Sequence, residues 1–328
     1  MPVFIPRRGA VGVAKEVTPG TYVSPAFWSP FQKFDLADDP GITVDDSAIG
    51  TVEEAFDAQA LYSMAKGSWE SFIYDEPFGL PLLSLFGSVS TAANADASTL
   101  VQDHTFTVSQ TNTRPSLSFT EKTPIHDVNY TMGVVSKLEI TAEAKAFAKF
   151  SADVISKGSA ANSPSSTPAV TIENKFIPSG ITLKIADTVA GLSGGTTIQL
   201  KSIKISFENG AKDDPDSLGY SGPAGMISET FKSSVALEGL YRDDTLRTLA
   251  LAGTKKAVGI YLTNSAVTIG TAAHPGLTFL FEPGFFNPWS KSTDLNTAAT
   301  QSTTFNGLYS TSNSKSLSVK LTNLETSY

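Results

Sequence analysis

From Lys137 to Val154 the chain alternates apolar and polar side chains with one exception. Leu138, Ile140, Ala142, Ala144, Ala146, Ala148, Phe150, Ala152 and Val154 are separated by Lys137, Glu139, Thr141, Glu143, Lys145, Lys149, Ser151 and Asp153, and only Phe147 breaks the rhythm. A period of two belongs to a strand with one buried and one wet face. Its Ala, Glu and Lys content would also permit a helix. At about 3.3 Å per residue the stretch is long for one strand, so a bend or bulge is expected within it. The same alternation runs through Ile198, Leu200, Ile203, Ile205 and Phe207, slipping phase at Lys201-Ser202, where a bulge is expected. Val258–Leu262 and Leu317–Leu321 repeat it.

Two short segments read instead as helices. Asp243-Asp244 precede Leu246, Leu249 and Ala250, and Gly253 follows: acid at the start, apolar residues three apart, Gly at the end. Phe78–Gly87 has the same outline, with Pro77 and Pro81 early, where a missing amide donor costs least. At a constant offset Leu80 matches Leu246, Leu83 matches Leu249, Leu85 matches Leu251 and Gly87 matches Gly253. Gly50–Phe56 parallels Gly225–Phe231, Leu117–Phe119 parallels Leu277–Phe279, and Leu138–Ile140 parallels Leu317–Val319, in one order through both halves. Between them lies Gly158–Ala169, small, polar and Pro-containing, with the composition of a linker. The expectation is a mainly β fold that arose by duplication: a first domain over 1–157, a linker over 158–169 and a second domain over 170–328. Each domain is a β-sandwich or barrel with one short α-helix.

Composition narrows the chemistry. With no Cys, disulfides, thiolate metal sites and a Cys nucleophile are excluded. The 24 basic against 32 acidic residues leave a net charge of −8, the wrong sign for gripping a phosphate backbone. His104, His126 and His274 stand far apart, and no phosphate loop, nucleophile elbow or zinc motif occurs. Leu192–Thr197 is Gly-rich but lacks the Lys of a phosphate loop and reads as a hairpin turn. The acidic pairs Asp38-Asp39, Asp45-Asp46, Glu53-Glu54, Asp213-Asp214 and Asp243-Asp244 read as solvated turns, and Asp213, Asp214 and Asp216 offer too few ligands to argue a calcium site. No enzyme, cofactor or metal is expected. The first residues have no apolar stretch of the signal-peptide kind and no segment is long enough to span a membrane, so synthesis and residence in a cytoplasm are expected.

Residues 14–25 (Ala14-Lys-Glu-Val-Thr-Pro-Gly-Thr-Tyr-Val-Ser-Pro25), then Phe27-Trp28, resemble the opening of tail tube proteins from long-tailed, non-contractile bacteriophages. Glu70–Tyr74, the Leu-rich turn ending at Phe86-Gly87, Asp103–Phe106, Pro115–Phe119, Tyr130–Gly133 and the run from Leu237 to Gly253 are similar to the same family. The resemblance implies two tail-tube-like β-sandwich domains whose sheets join a barrel around a lumen. It implies self-assembly into stacked rings, tape-measure and other tail proteins as partners, and passage of viral DNA without tight binding. Two such domains per chain imply a trimeric, pseudo-hexameric ring, with a hexamer as the alternative. The place of work is the virion tail, assembled in the host cytoplasm, with no membrane partner.

On this reading Glu139, Thr141, Glu143 and Ser151 are the lumen-facing candidates, giving a predominantly acidic wall that repels phosphates. Arg7, Arg8, Phe285, Phe286 and Trp289 are the inter-subunit contact candidates. Met1–Pro30 and Ser88–Gln102 are expected to be loose before assembly. Decoration, terminator or adhesin roles are alternatives from outside this reading, and the aromatics of 279–289 would also suit a carbohydrate platform.

Overall fold

The period-two patterning is realised as a mainly β fold. The computed structural model describes residues 5–96, 98–162, 165–214 and 218–328. The first half contributes β1 (Ala10–Lys15), β2 (Phe27–Ser29), β3 (Lys33–Phe34), β4 (Ala37–Asp45), β5 (Asp57–Phe72), α1 (Gly79–Phe86), β6 (Gly87–Ala93), β7 (Gln102–Val108), β8 (Leu117–Lys122), β9 (Asp127–Glu143), β10 (Lys149–Lys157) and β11 (Ala160–Ala161). The second contributes β12 (Ile181–Ala186), β13 (Thr196–Ile198), β14 (Ser202–Glu208), β15 (Lys212–Asp213), β16 (Met226–Ile227), β17 (Lys232–Leu240), α2 (Thr245–Ala252), β18 (Lys256–Thr263), β19 (Gly276–Ser292), β20 (Thr300–Asn306) and β21 (Leu317–Asn323).

One central antiparallel sheet crosses both halves in the order β3/β4, β5, β10, β9, β14, β17, β20, β19. A second sheet runs β2, β1, β8, β9, β11, and a third β13, β12, β18, β19, β21, β7, β6. The two 17-residue strands β9 and β19 each begin in an outer sheet and end in the central one. Each also bulges where it changes sheet: the pairing of β9 with β10 shifts at Asp153/Val154, and that of β19 with β20 between Phe286 and Trp289. Around β9 stand β8, β11 and β10, with β5 beyond β10; around β19 stand β18, β21 and β20, with β17 beyond β20. β1 flanks β8 as β12 flanks β18.

This order revises three of the expected block matches. The two helices and their following glycines fall at equivalent places. Leu117–Phe119 on β8 and Leu277–Phe279 on β19 do not, nor do Leu138–Ile140 on β9 and Leu317–Val319 on β21. Gly50–Phe56 lies at a hairpin tip, whereas Gly225–Phe231 leads into β17.

The alternating stretch 137–154 is two strands, not one long bent strand. The chain reverses at 144–147, with Lys145 at φ 76 in the left-handed region, and β10 returns along β9. Leu138, Ile140, Ala142, Ala148, Phe150, Ala152 and Val154 are all buried, so the facing was legible even though the reversal was not. Phe147 lies on the turn, edge-on to Phe72 at 5.6 Å, under the Lys175 ammonium at 4.9 Å. The expected bulge at Lys201-Ser202 is instead a change of sheet, because β13 pairs with β12 and β14 pairs with β9 and β17.

One apolar core runs through both halves. Trp69, Phe119 and Phe150 pack edge to face in the first; Phe207 stacks on Phe279 and Phe281 in the second, with Phe305 edge-on to Phe281; Phe86 of α1 meets Phe207 at 5.2 Å. All eight residues of α1 are buried. The amide of Asn209, just past β14, donates to Leu85 O and Val135 O and ties this helix to the second half. In α2 only Leu246 is buried, and Leu251 is 69% exposed.

Two stretches expected to be loose are structured. Within Met1–Pro30, β1 lies between β2 and β8 with Val11 and Val13 buried; Met1–Phe4 lie outside the described residues. Within Ser88–Gln102, Ser88–Ala93 pair with β7, and Ala97 lies outside the described residues. The linker-like 158–169 is pinned as well. Ala160-Ala161 pair with β9, and the Ser165 hydroxyl and Ser166 carbonyl accept from Lys122 at 2.7 and 2.6 Å; Ser163 and Pro164 lie outside the described residues.

Glu16, from the N-terminal motif, explains part of this order. Its carboxylate is buried and takes four donors: Ser116 Oγ at 2.6 Å, Gly20 N at 2.7 Å, Met132 N at 2.8 Å and Ser118 Oγ at 2.9 Å. A buried carboxylate is tolerated when its lone pairs are filled in this way.

Candidate functional site

The four lumen candidates share one surface, the outer face of the central sheet. Glu139 sits opposite Ser151 on β10 and Ser206 on β14, and Thr141 opposite Lys149 and Lys204. Strand alternation places them there because Leu138, Ile140 and Ala142 take the core side. In the first half this face carries Lys33, Asp35, Glu70, Lys137, Glu139, Lys149 and Asp153. In the second it is mostly short and hydroxylic: Ser234, Ala236, Thr300, Ser302 and Thr304. A shallow depression of about 380 Å³ runs across it, bordered by Thr141, Glu143, Lys204, Glu238, Ser302 and Thr304.

Several of the carboxylates on this face are ion-paired. Lys204 Nζ meets Glu139 at 2.9 Å, Lys137 meets it at 3.0 Å, and Lys201 meets Glu238 at 2.9 Å. Partial burial raises the Glu139 carboxyl, but hydrogen bonds from Lys204 and Lys137 outweigh it and hold the group below its ordinary range. Lys204 comes from the other half of the chain, so no local pattern around Glu139 announced it. Such half-exposed pairs contribute little stability, yet they cancel local charge.

The contact candidates scatter. Arg7 and Arg8 lie on an exposed turn, where Arg7 borders a groove of about 580 Å³ with Phe31, Phe72 and Val170. Phe286 is fully buried against Phe305 and is a core residue, not a contact, while Phe285 is half-buried beside it. Trp289 sits at the end of β19 near Tyr241, with the Arg247 guanidinium 5.8 Å from its ring.

Sequence reasoning missed the largest exposed feature. The hairpin of β4 and β5 leaves the sheet beyond Met64, where β10 stops pairing with β5. All nine residues of β4 are exposed, and Ile42, Val44, Ile49, Val52, Phe56 and Leu61 are each more than half exposed. Between Ala37 and Ala65 stand seven carboxylates, Asp38, Asp39, Asp45, Asp46, Glu53, Glu54 and Asp57, and no Lys or Arg. The paired acids had read as turns, but apolar side chains exposed this densely mark an interaction surface.

Nothing assembled from the described residues resembles a reaction centre. His104 is buried; its Nε2 faces Asn323 Oδ1 at 3.0 Å and Glu325 O at 2.9 Å, and its Nδ1 faces the Thr91 hydroxyl at 2.8 Å. His126 pairs with Glu121 at 3.3 Å, and His274 Nδ1 lies 2.5 Å from Val267 O. Among the described residues no group of His, Asp and Glu could hold a metal ion, and no helix is long and apolar enough to cross a membrane. Asp213 accepts from the Tyr62 hydroxyl at 2.8 Å; Asp216 lies outside the described residues.

One carboxyl cluster affects stability. Burial first, then Glu173, Asp75 and Glu325, push the Glu76 carboxyl up to about 7. The folded chain therefore holds this proton more tightly than the unfolded chain does. The contribution is complete below the ordinary carboxyl value of 4.5 and is lost as pH rises through about 7. Glu76→Gln should raise the melting temperature at about pH 8 and flatten its fall between about pH 5 and 8; melts across that range check it.

A family model described as phage tail tube protein matches residues 6–312. No curated protein matches the chain.

Proposed function

We propose that this chain, which belongs to the phage tail tube proteins, forms a ring from three copies and that the rings stack into the conduit through which viral DNA leaves the capsid. The observation that carries the reading is the central sheet. Its eight-strand run places four strands from each half side by side, buries one face and leaves the other open and mostly polar, with Leu240 and Phe285 at the ends of the second half's share. The matched strand pairing of the two halves supports descent by duplication, with a first domain over 1–157 and a second over 170–328. Two similar halves per chain make three copies equivalent to six staves, and a heterologous contact repeated about an axis closes a ring.

In this reading the open face lines the channel. Glu139, Thr141, Glu143 and Ser151 lie on the wall. Ion-paired charges and hydroxyls offer DNA few unpaired cations to bind, so the wall resists sticking without being strongly acidic. The acidic, apolar hairpin of β4 and β5 projects along the stacking direction and docks on the next ring. Tape-measure and terminating proteins are the expected tail partners, in the virion and during assembly in the host.

Electron microscopy and mass measurement of the purified protein test the reading. Long tubes with a central channel, built from rings of three chains, are expected; rings of six would correct the stoichiometry. A monodisperse monomer at all concentrations would overturn the assembly itself.

A further inference from the structure

A buried guanidinium without a counter-charge stands between the two halves. Arg114, in the connection from β7 to β8, is only 8% exposed. Its Nη1 donates to Ser109 O at 3.1 Å and to Thr111 O at 2.9 Å, which shapes the turn over 109–114. Among the described residues nothing accepts from Nε, and Nη2 makes no hydrogen bond either. Burial alone pushes this guanidinium below its ordinary range, and no carboxylate offsets it. Taking a charge out of water is costly without a partner, so a group like this is ordinarily matched by an anion.

The guanidinium is held in place from both sides. Gly87, the left-handed residue that closes α1, lies against it, and a Cβ there would meet Arg114 Cδ and Nη1 at 2.9 Å each. Ser109 N donates to Phe86 O at 2.7 Å, and Ser228 N donates to Asn112 O at 2.8 Å. The turn is thereby tied to α1 and to the second half.

Arg114 lines a cavity of about 380 Å³ together with Asn112 from the first half and Ser233, Tyr309 and Ser316 from the second. The Asn112 amide and the hydroxyls of Ser233, Tyr309 and Ser316 have no hydrogen-bond partner among the described residues. Glu229, the carboxylate in this wall, is paired with Lys212. The wall therefore offers one cation and four neutral donors, and its acid is already engaged.

We propose that this cavity binds a small tetrahedral oxyanion, phosphate or sulfate, held by the Arg114 guanidinium with Asn112, Ser233, Tyr309 and Ser316. Bonds from a guanidinium to such an anion are charge-assisted and roughly twice as strong as neutral ones. The donors come from separate stretches of chain at 112–114, 233, 309 and 316, and four oxygens reach more of them than the two of a carboxylate. At about 30 Å³ per water, the cavity has room for the anion and several waters. Ser233 shares its side of β17 with the buried Val235 and Leu237, so the cavity lies on the core side of the central sheet. DNA moving along the opposite face is not the source of the phosphate. Because the donors belong to both halves, the bound anion straps them together and stabilises the folded chain. The site is independent of the ring reading.

Isothermal titration of the full chain with inorganic phosphate, at ionic strength matched with chloride, should show one site per chain with a dissociation constant of about 1 mM or below. Asn112→Ala with Ser233→Ala leaves both Arg114 bonds to the turn intact and should weaken binding at least tenfold. Arg114→Gln should abolish binding, with circular dichroism reporting its fold separately. Phosphate at ten times the dissociation constant should raise the wild-type melting temperature by about 2–3 °C. The double variant should keep only the smaller rise that any excluded anion gives. Acetate should bind at least tenfold more weakly than phosphate; equal or tighter binding of acetate would overturn the tetrahedral assignment. No saturable phosphate binding at two temperatures, or equal affinity in the double variant, would overturn the site and leave Arg114 as a clamp of its own turn.

Discussion

Replacing residues 42–61 with a two-residue Asn-Gly turn should leave rings intact and abolish long tubes. The cut falls just beyond Gly41 paired with Tyr62, so it removes only the free part of the hairpin and retains residues 33–39. An Asn-Gly turn suits a two-residue hairpin connection. The removed side chains are exposed or half-exposed, so the chain itself should lose no more than about 0.5 kcal/mol in stability. The tube should lose much more, because six exposed apolar side chains and five carboxylates disappear from the surface assigned to ring stacking. Sedimentation and electron microscopy separate the two levels of assembly. At least a tenfold rise in the concentration needed for tubes is expected, and tubes of unchanged length would remove the hairpin from the stacking contact.

Glu16→Ala should be the most damaging single substitution in the first half. It strips the shared acceptor from two backbone amides and two hydroxyls, leaving Gly20 N, Met132 N, Ser116 Oγ and Ser118 Oγ to compete for nothing in a dry site. Losing the acceptor from a buried charged network costs about 3–5 kcal/mol, which for a chain of this size lowers the melting temperature by roughly 5 °C. Glu16→Gln keeps the volume but points an amide donor at other donors, and it should recover at most half of the loss. Thermal melts of the three proteins check the ranking; equal melting of wild type and Glu16→Ala would show that water replaces the carboxylate.

The facing of residues was far more legible than their connectivity. The alternation over 137–154 assigned each core position correctly because the reversal at 144–147 preserves parity: β9 leaves and β10 returns with the same odd-even sense. The reversal itself was hidden because Lys145 occupies a left-handed position that Gly or Asn would have advertised. Both helices were readable from their terminal glycines, which take φ 87 at Gly87 and φ 60 at Gly253. The ion pairing of the candidate wall was not legible for a different reason. Glu139 is neutralised by Lys204 across the seam, and only pairing between strands far apart in sequence brings them together. Phe286 was misplaced by reading an aromatic cluster as a unit, whereas the alternation of β19 sends Phe286 into the core and leaves Trp289 near the edge.

The internal seam of β9 with β14 has an energetic consequence for polymerisation. In the three-copy ring proposed above, half of the six joints would be made within a chain, where the tether holds the two staves at an effective concentration on the order of millimolar or higher before any encounter occurs. Only three joints then lose translational freedom on association. Closure of such a ring would scale with the third power of monomer concentration, so its nucleation would tolerate a dilute pool, and even-numbered stave counts would be guaranteed covalently, since no assembly error could insert a lone half.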